Sequence, residues 1–499
     1  MSQSWRWTLL PLLVALALFA NAISGAGFVA DDSFNLAEHA HHGDLWGEWT
    51  TPTYAHAGGE RGHIWRPIPA TLQHVAAIAL GRTGSVFRGL NLGIHLVNIL
   101  LVFWVARRWG AHASVAGLLT LLWTTHPSLP EAVCWSSDIY DLMATTAMLT
   151  ATALVASKKL NPAHWVGLTL TLLIACLCKE SAMAVLPALA LLTAYRHGLR
   201  IGVQAGAAMG IGVAAYWSLH NQVTAQGYLD AASNTAVLEI VDAWLMLCGW
   251  FVHVPARAPM AHLFDRTTDG PEVWAGMLVV LGLLFFAADQ ARRHPHRKII
   301  GVTIAATSLL LVPAAVGIPF IGVAPFRYIY MPLALLIAVG ASAWSEPIRP
   351  TWMMGLLVAS LIGGARSAER IPAFENDASL WSAELKWEPT NPYAAGSLAR
   401  AMIADGQPAK GIALWAQAVD RAQPGIRVFD KQNERWLLAQ TAFMKRQPAV
   451  ALRQVEMLIE EAADSGSSVP AMAHCLKADS LDALGHHEHA SIAAVHCPG

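Results

Sequence analysis

Eleven apolar stretches of near-bilayer length divide the chain up to residue 364: 5–28, 86–106, 113–125, 142–156, 164–178, 182–194, 201–219, 273–288, 299–318, 328–344 and 353–364. A helix needs about 20 residues to cross the hydrocarbon core, so the shorter stretches are predicted to borrow turns from their flanks. Basic residues fall in alternate connections: Arg107 and Arg108, Lys158 and Lys159, Arg196 and Arg200, the group Arg292, Arg293, Arg297 and Lys298, and Arg349. The positive-inside rule puts those connections in the cytoplasm and the large first loop, 29–85, on the other side. A further apolar stretch, 237–254, would upset this alternation if it crossed. It carries Glu239 and Asp242 and runs into Pro255, so it is predicted to lie at the interface or to re-enter. An odd number of crossings then leaves the C-terminus outside. The first stretch resembles a signal peptide, with Arg6 ahead of it and Ala20-Asn21-Ala22 as a weak cleavage site. Its apolar character continues to Val29, however, and an uncleaved span is expected.

Beyond residue 365 the pattern changes. Amphipathic helical segments replace the apolar runs, and Gln407-Pro408-Ala409 returns as Gln447-Pro448-Ala449, with a similar turn opening at Gly485. Two short helices per repeat cannot bury their apolar faces alone, so residues 366–499 are predicted to stack into a small α-solenoid, a form that usually binds a peptide or protein. The predicted fold is all-α: a polytopic membrane bundle over 1–365 and a helical repeat domain over 366–499. Composition agrees, since 55% of the 499 residues are hydrophobic and 13% charged, against roughly a quarter charged in soluble domains. A net charge of −1 excludes a polybasic nucleic-acid binder. The six cysteines fit neither a zinc spacing nor a disulfide scaffold. Cys176, Cys178 and Cys248 lie in apolar stretches and read as small core residues, whereas Cys475 and Cys497 can pair if the C-terminal region faces an oxidising compartment.

Charged residues at the external helix ends are the candidate chemistry. Asp31 and Asp32 stand side by side at the mouth of the first span; their repulsion should raise one pKa and leave a base poised near neutrality, suited to taking a proton from a hydroxyl. The same loop carries His39, His41, His42, His56 and His63 among Trp46, Trp49, Tyr54 and Trp65, and closes with His63-Ile64-Trp65-Arg66-Pro67. Its aromatic residues are ordinary interfacial anchors. Its histidines show no helical pair with a third ligand, so no metal site is assigned. The Arg66 guanidinium is suited to hold a lipid phosphate through two parallel hydrogen bonds. Further external turns bring Glu131, Asp138 and Asp141 after His126-Pro127, then Lys179-Glu180, then Arg327 with Tyr330. These are read as one external site, with acids for catalysis and Lys179, Arg66 and Arg327 for an anion. His63, Trp65, Glu131, Asp138, Asp141, Glu180 and Tyr330 are its further substrate-site candidates. Asn91, His95 and Asn98 recur at helical spacing within the second span and should face the bundle interior as helix-to-helix hydrogen bonds.

In this order, Asp31-Asp32, Trp65-Arg66-Pro67, Asn91 with His95 and Asn98, His126-Pro127 with Glu131 and Trp135, Asp141-Leu142, Lys179-Glu180-Ser181, Arg327 to Pro332, and Leu380-Trp381 with Pro389 and Asn391 resemble the GT-C superfamily of membrane glycosyltransferases. The resemblance is greatest to its protein O-mannosyltransferase-like branch, which joins such a core to tetratricopeptide repeats, and it covers nearly the whole chain. It implies transfer of a sugar from a polyprenyl-phosphate carrier to an acceptor at the external face, with inversion at the anomeric carbon. By the same resemblance Asp31 or Asp32 is the general base, and Arg327, Lys179 and Arg66 meet the carrier phosphate. No cofactor is required, a divalent metal being the one left open. The implied partners are the lipid-linked donor, membrane lipid, and an acceptor protein or glycan that the repeats would hold, with no nucleic acid. The expected location is a bacterial inner membrane, with the first loop and the C-terminal domain in the periplasm. A transporter or flippase for a lipid-linked glycan is the competing class, but it should show repeats across its spans and charge near the midplane. A membrane-anchored repeat scaffold would leave the gathering of Asp31, Lys179 and Arg327 on one face unexplained.

Overall fold

A computed structural model describes residues 4–32, 36, 45–53, 64–224, 237–252, 261–263, 271–422, 429–465, 468–470 and 472–497. The chain separates into two compact units, Met1–Asn376 and Asp377–Gly499.

Every apolar stretch of the first unit is helical. In chain order the helices are α1 (Ser4–Phe19), α2 (Pro67–Leu80), α3 (Gly84–Trp109), α4 (Ala113–Thr124), α5 (Leu129–Cys134), α6 (Ile139–Val155), α7 (Pro162–Cys178), α8 (Val185–His197), α9 (Leu199–Val223), α10 (Val237–Gly249), α11 (Pro271–Arg293), α12 (Ile299–Ile321), α13 (Tyr330–Gly340) and α14 (Pro350–Arg370). Among the described residues five segments are long and apolar enough to cross a membrane: Trp5–Ala22, Gly84–Trp109, Val273–Arg293, Pro295–Pro319 and Phe326–Ala343. The protein is thus an all-α polytopic membrane protein. The polar residues of α3 turn inward, as lipid requires. Asn91 donates to the Trp135 carbonyl (2.8 Å), Asn98 to the Leu142 carbonyl (2.9 Å), and His95 Nδ1 meets the Tyr330 hydroxyl (2.7 Å). These bonds tie α3 to α6 and α13, each contributing roughly 1 kcal/mol.

The stretch expected not to cross is α10, whose 13 residues reach only about 20 Å. It buries Ala243, Met246 and Leu247 against Leu311, Ala315 and Ile318 of α12. A three-residue ribbon is the one addition to the helical plan among the described residues: β1 (Ala261–Leu263) pairs antiparallel with β2 (Val323–Pro325). It fixes the chain immediately ahead of Arg327. Helix α14 runs unbroken through the expected domain boundary at 365, and beyond it the Gly27 N–H donates to the Glu375 carbonyl (2.8 Å). The structural division accordingly falls at 376.

The second unit comprises α15 (Asp377–Trp387) and three helix pairs: α16 (Pro392–Ala404) with α17 (Pro408–Arg421), α18 (Lys431–Met444) with α19 (Pro448–Ser465), and α20 (Ala473–Ala483) with α21 (His487–Ala494). The turn inside each pair uses one left-handed residue, Gly406 (φ 81°), Arg446 (φ 60°) and Gly485 (φ 83°). Glycine is at ease there and arginine is strained. Trp415, Ile412, Phe429 and Leu438 form the apolar centre. A fully buried Arg435 is matched by Asp420 (3.1 Å), Glu461 (3.0 Å) and Gln454 (2.7 Å). Cys475 and Cys497 form a disulfide, and the other four cysteines are buried thiols.

Candidate active site

Segment 23–32, which carries the chain away from α1, is clamped onto the start of α3. Ser85 donates to the Ile23 carbonyl (2.6 Å), and Arg88 to the carbonyls of Ala22 (3.1 Å) and Gly27 (2.7 Å). Gly84 permits the approach, since a Cβ there would stand 2.4 Å from the Ala26 carbonyl oxygen. Ala30 then adopts a left-handed φ of 51°, at a cost of about 1–2 kcal/mol, and beyond it the two aspartates part. Asp32 is fully buried. Its Oδ1 accepts from the Ser137 N–H (2.8 Å) and hydroxyl (2.7 Å), and its Oδ2 from the Val29 N–H (3.2 Å). Burial lifts its carboxyl to about 6 against the pull of those bonds and of Arg88. Asp31, by contrast, is exposed. Even so, the surrounding protein raises its carboxyl by desolvation, with Arg327 opposing. Both shifts come from desolvation, not from the mutual repulsion expected of adjacent acids.

Arg327 reaches the site from the turn Phe326–Ile329, held by β2 on one side and α13 on the other. Its backbone N–H donates to Glu131 Oε2 (3.1 Å), its Nη1 pairs with Glu131 Oε1, and its Nε lies 3.2 Å from Asp138 and 3.9 Å from Asp141. The guanidinium stacks 4.3 Å from the Trp135 ring. Its Nη2 has no hydrogen-bond partner among the described residues, an edge left open. Lys179 Nζ lies 2.5 Å from Asp141 Oδ2, so two cations share three acids drawn from residues 131–141. Burial pushes the Glu131 carboxyl up to about 7 despite Arg327 and, farther off, Arg370. Burial and the adjacent Asp141 raise Asp138 well above the carboxylate range.

Arg66 closes another side. It donates twice to Glu180 (2.9 and 2.5 Å) and stacks 4.7 Å from the Tyr140 ring. Although burial works against it, Arg66 holds the Glu180 carboxyl down at about 2. The Tyr328 hydroxyl is within electrostatic reach of Arg327, Asp141, Arg66 and Glu131, which joins the two ion-pair groups. Two sequence candidates point elsewhere. Tyr330 is fully buried in the bundle against His95 and Trp123, and Trp65 packs on Tyr216 and His220. His63 lies outside the described residues, as do His39, His41, His42 and His56. Sequence reasoning missed Ser137, Tyr328 and Arg370. Ser137 was legible only as a hydroxyl one residue before Asp138. Arg370, 4.5 Å from the Phe326 ring, follows the last apolar run and was grouped with the repeats.

The site therefore combines an accessible carboxylate, a guanidinium with one open edge, a lysine, and the buried indole N–H of Trp135, which lacks a partner among the described residues. Such donors can take a phosphate and sugar hydroxyls while a base meets a nucleophile. No three His, Cys, Asp or Glu side chains among the described residues form a metal-holding group. Over 192 residues the chain is 31% identical to protein O-mannosyl-transferase Tmtc1 of Drosophila melanogaster, a match covering 35% of this chain. It spans about a fifth (21%) of that relative's length. No family model matches the sequence, and no solved structure does.

Proposed function

We propose that the protein is a membrane glycosyltransferase that moves a sugar from a polyprenyl-phosphate donor to a hydroxyl acceptor, with inversion. The observation that supports this reading is that Arg327's charge acts on the Asp31 carboxyl. In the proposed step the Asp31 carboxylate takes the acceptor proton as the acceptor oxygen bonds to the anomeric carbon. The bond from that carbon to the phosphate oxygen breaks, and its electron pair leaves with the polyprenyl phosphate. Arg327, through its open Nη2, with Lys179 and Arg66, would stabilise the charge growing on that phosphate. Asp32, engaged by Ser137 and Val29, would hold the loop in place.

The partial identity to a protein O-mannosyl-transferase supports a glycosyl transfer and makes a protein hydroxyl the first acceptor to test. The repeat unit would hold that acceptor. The Cys475–Cys497 disulfide favours an oxidising compartment for this unit, consistent with a bacterial periplasm. Glycan analysis of cells with and without the protein, paired with donor turnover by the purified protein, tests the reading. It predicts a sugar missing from envelope protein or polysaccharide and donor-dependent release of polyprenyl phosphate. Unchanged glycans together with no donor turnover would refute it.

A further inference from the structure

The far end of α13 from Arg327 carries a feature the proposed transfer does not use. Between α4, α11, α12 and α13 lies a half-open cavity of about 190 Å³ walled by Leu119, Leu283, Phe286, Ile304, Leu336 and Trp344. Its wall is apolar, and α11 beside it turns Leu281, Leu284 and Phe285 outward, as a helix facing lipid tails does. The rim is basic. The last turn of α11 and its connection to α12 hold Arg292, Arg293, Arg297 and Lys298, with Asp289 the one acid between 289 and 298. Arg297 spans wall and rim, its guanidinium 5.6 Å from the ring of Trp344. Its Nη1 donates to Gln290 (2.5 Å), while its Nε is buried without a hydrogen-bond partner among the described residues. Arg293 is held by Asp289 (2.8 Å).

We propose that this slot binds an anionic glycerophospholipid, with part of one acyl chain along the apolar wall and the phosphate against Arg297 and its basic neighbours. Four cations against one acid favour a headgroup with net negative charge and disfavour one that brings its own cation. A wall of aliphatic and aromatic side chains between membrane helices favours a lipid tail over a polar ligand. The positive-inside rule places the rim at the cytoplasmic leaflet. The site stands independently of the transfer reaction.

The test uses the purified full-length protein in phosphatidylcholine nanodiscs. Phosphatidylglycerol is added, and retained lipid is counted by native mass spectrometry alongside the melting temperature. Wild-type protein should keep phosphatidylglycerol in preference to phosphatidylcholine and melt higher with it. Gly340→Leu puts a side chain into the slot, and a Cβ there meets nothing within 4 Å, so the helix should tolerate it; it should lose the bound lipid. Arg297→Gln should weaken retention about fivefold, the effect of one cation at a membrane surface. Equal retention of both lipids by wild type, or wild-type retention of phosphatidylglycerol by both variants, would overturn the proposal. So would polyprenyl phosphate displacing phosphatidylglycerol from the slot at equal concentration.

Discussion

Changing Asp31 and Asp32 separately to Asn distinguishes a base from a brace. Asp32 accepts three hydrogen bonds. An Asn carbonyl can keep the two from Ser137, but its amide then faces the Val29 N–H, donor against donor. Losing that bond and leaving a buried N–H unpaired costs about 2–3 kcal/mol. Against this, burial has lifted the Asp32 carboxyl from 3.8 to about 6, so keeping it ionised at neutral pH costs the fold about 3 kcal/mol. Asn is spared that cost. The two nearly offset, and Asp32→Asn should melt close to wild type at pH 7. The sign is also testable through pH. A carboxyl raised in the folded state stabilises the fold when protonated, so its contribution falls as pH rises from about 4 to 6 and is flat above; Asp32→Asn should remove this slope. Asp31→Asn removes a carboxyl that desolvation raises and should melt no lower than wild type, while cutting transfer about 10²–10⁴-fold, the usual worth of a general base. The assay is transfer of labelled sugar from a polyprenyl-phosphate donor into envelope acceptor, with melting followed in parallel. Wild-type transfer by Asp31→Asn, or loss of transfer in a well-folded Asp32→Asn protein, would refute this division of roles.

Four further outcomes follow. Transfer should fall as pH is lowered through the raised pKa of Asp31, because the base must be ionised; Arg327→Gln removes the opposing cation and should move that acid limb to higher pH, and a stationary limb counts against the contact. Arg327→Ala should destabilise by about 3 kcal/mol, the low end for breaking a buried pair, because Glu131, near 7, can take up a proton; in a double-mutant cycle with Glu131→Gln the losses should not add, and simple additivity would deny the pairing. Arg446→Gly relieves the left-handed turn in the second helix pair and should stabilise by about 1 kcal/mol, checked by the melting of the repeat unit. Cys475→Ser opens a bridge across 22 residues and should cost about 3 kcal/mol, so an unchanged repeat-unit transition after the substitution would show that the thiols are not joined.

The helical plan was legible because lipid leaves so few choices. Apolar runs long enough to span must be helices, and Asn91, His95 and Asn98 on one stripe of α3 must find partners inside. The same logic, pressed further, would have moved Tyr330 inward, since a phenol at the start of a span needs the hydrogen-bond partner that His95 supplies. What could not be read was direction. Adjacent acids in a sequence look equivalent; only the left-handed turn at Ala30 separates them, sending Asp32 to Ser137 and leaving Asp31 exposed. Nor could pairing be read. Arg327, Lys179 and Arg66 looked like free cations awaiting a phosphate, whereas each arrives bonded to a carboxylate.

That pairing bears on the proposed chemistry. A guanidinium as enclosed as that of Arg327, 15% exposed, could not wait unpaired in a low-dielectric site without a large desolvation cost. Glu131 and Asp138 meet that cost, and both have raised carboxyls, so they can yield charge to an incoming phosphate by taking protons more readily than ordinary carboxylates would. The acids around Arg327 are thus poor candidates for the base, being buried and bonded. Asp31 differs on each count: it is reached by water, lies outside the ion-pair cluster, and feels Arg327 only at a distance. If a hydroxyl is deprotonated anywhere at this site, electrostatics leaves Asp31 to do it.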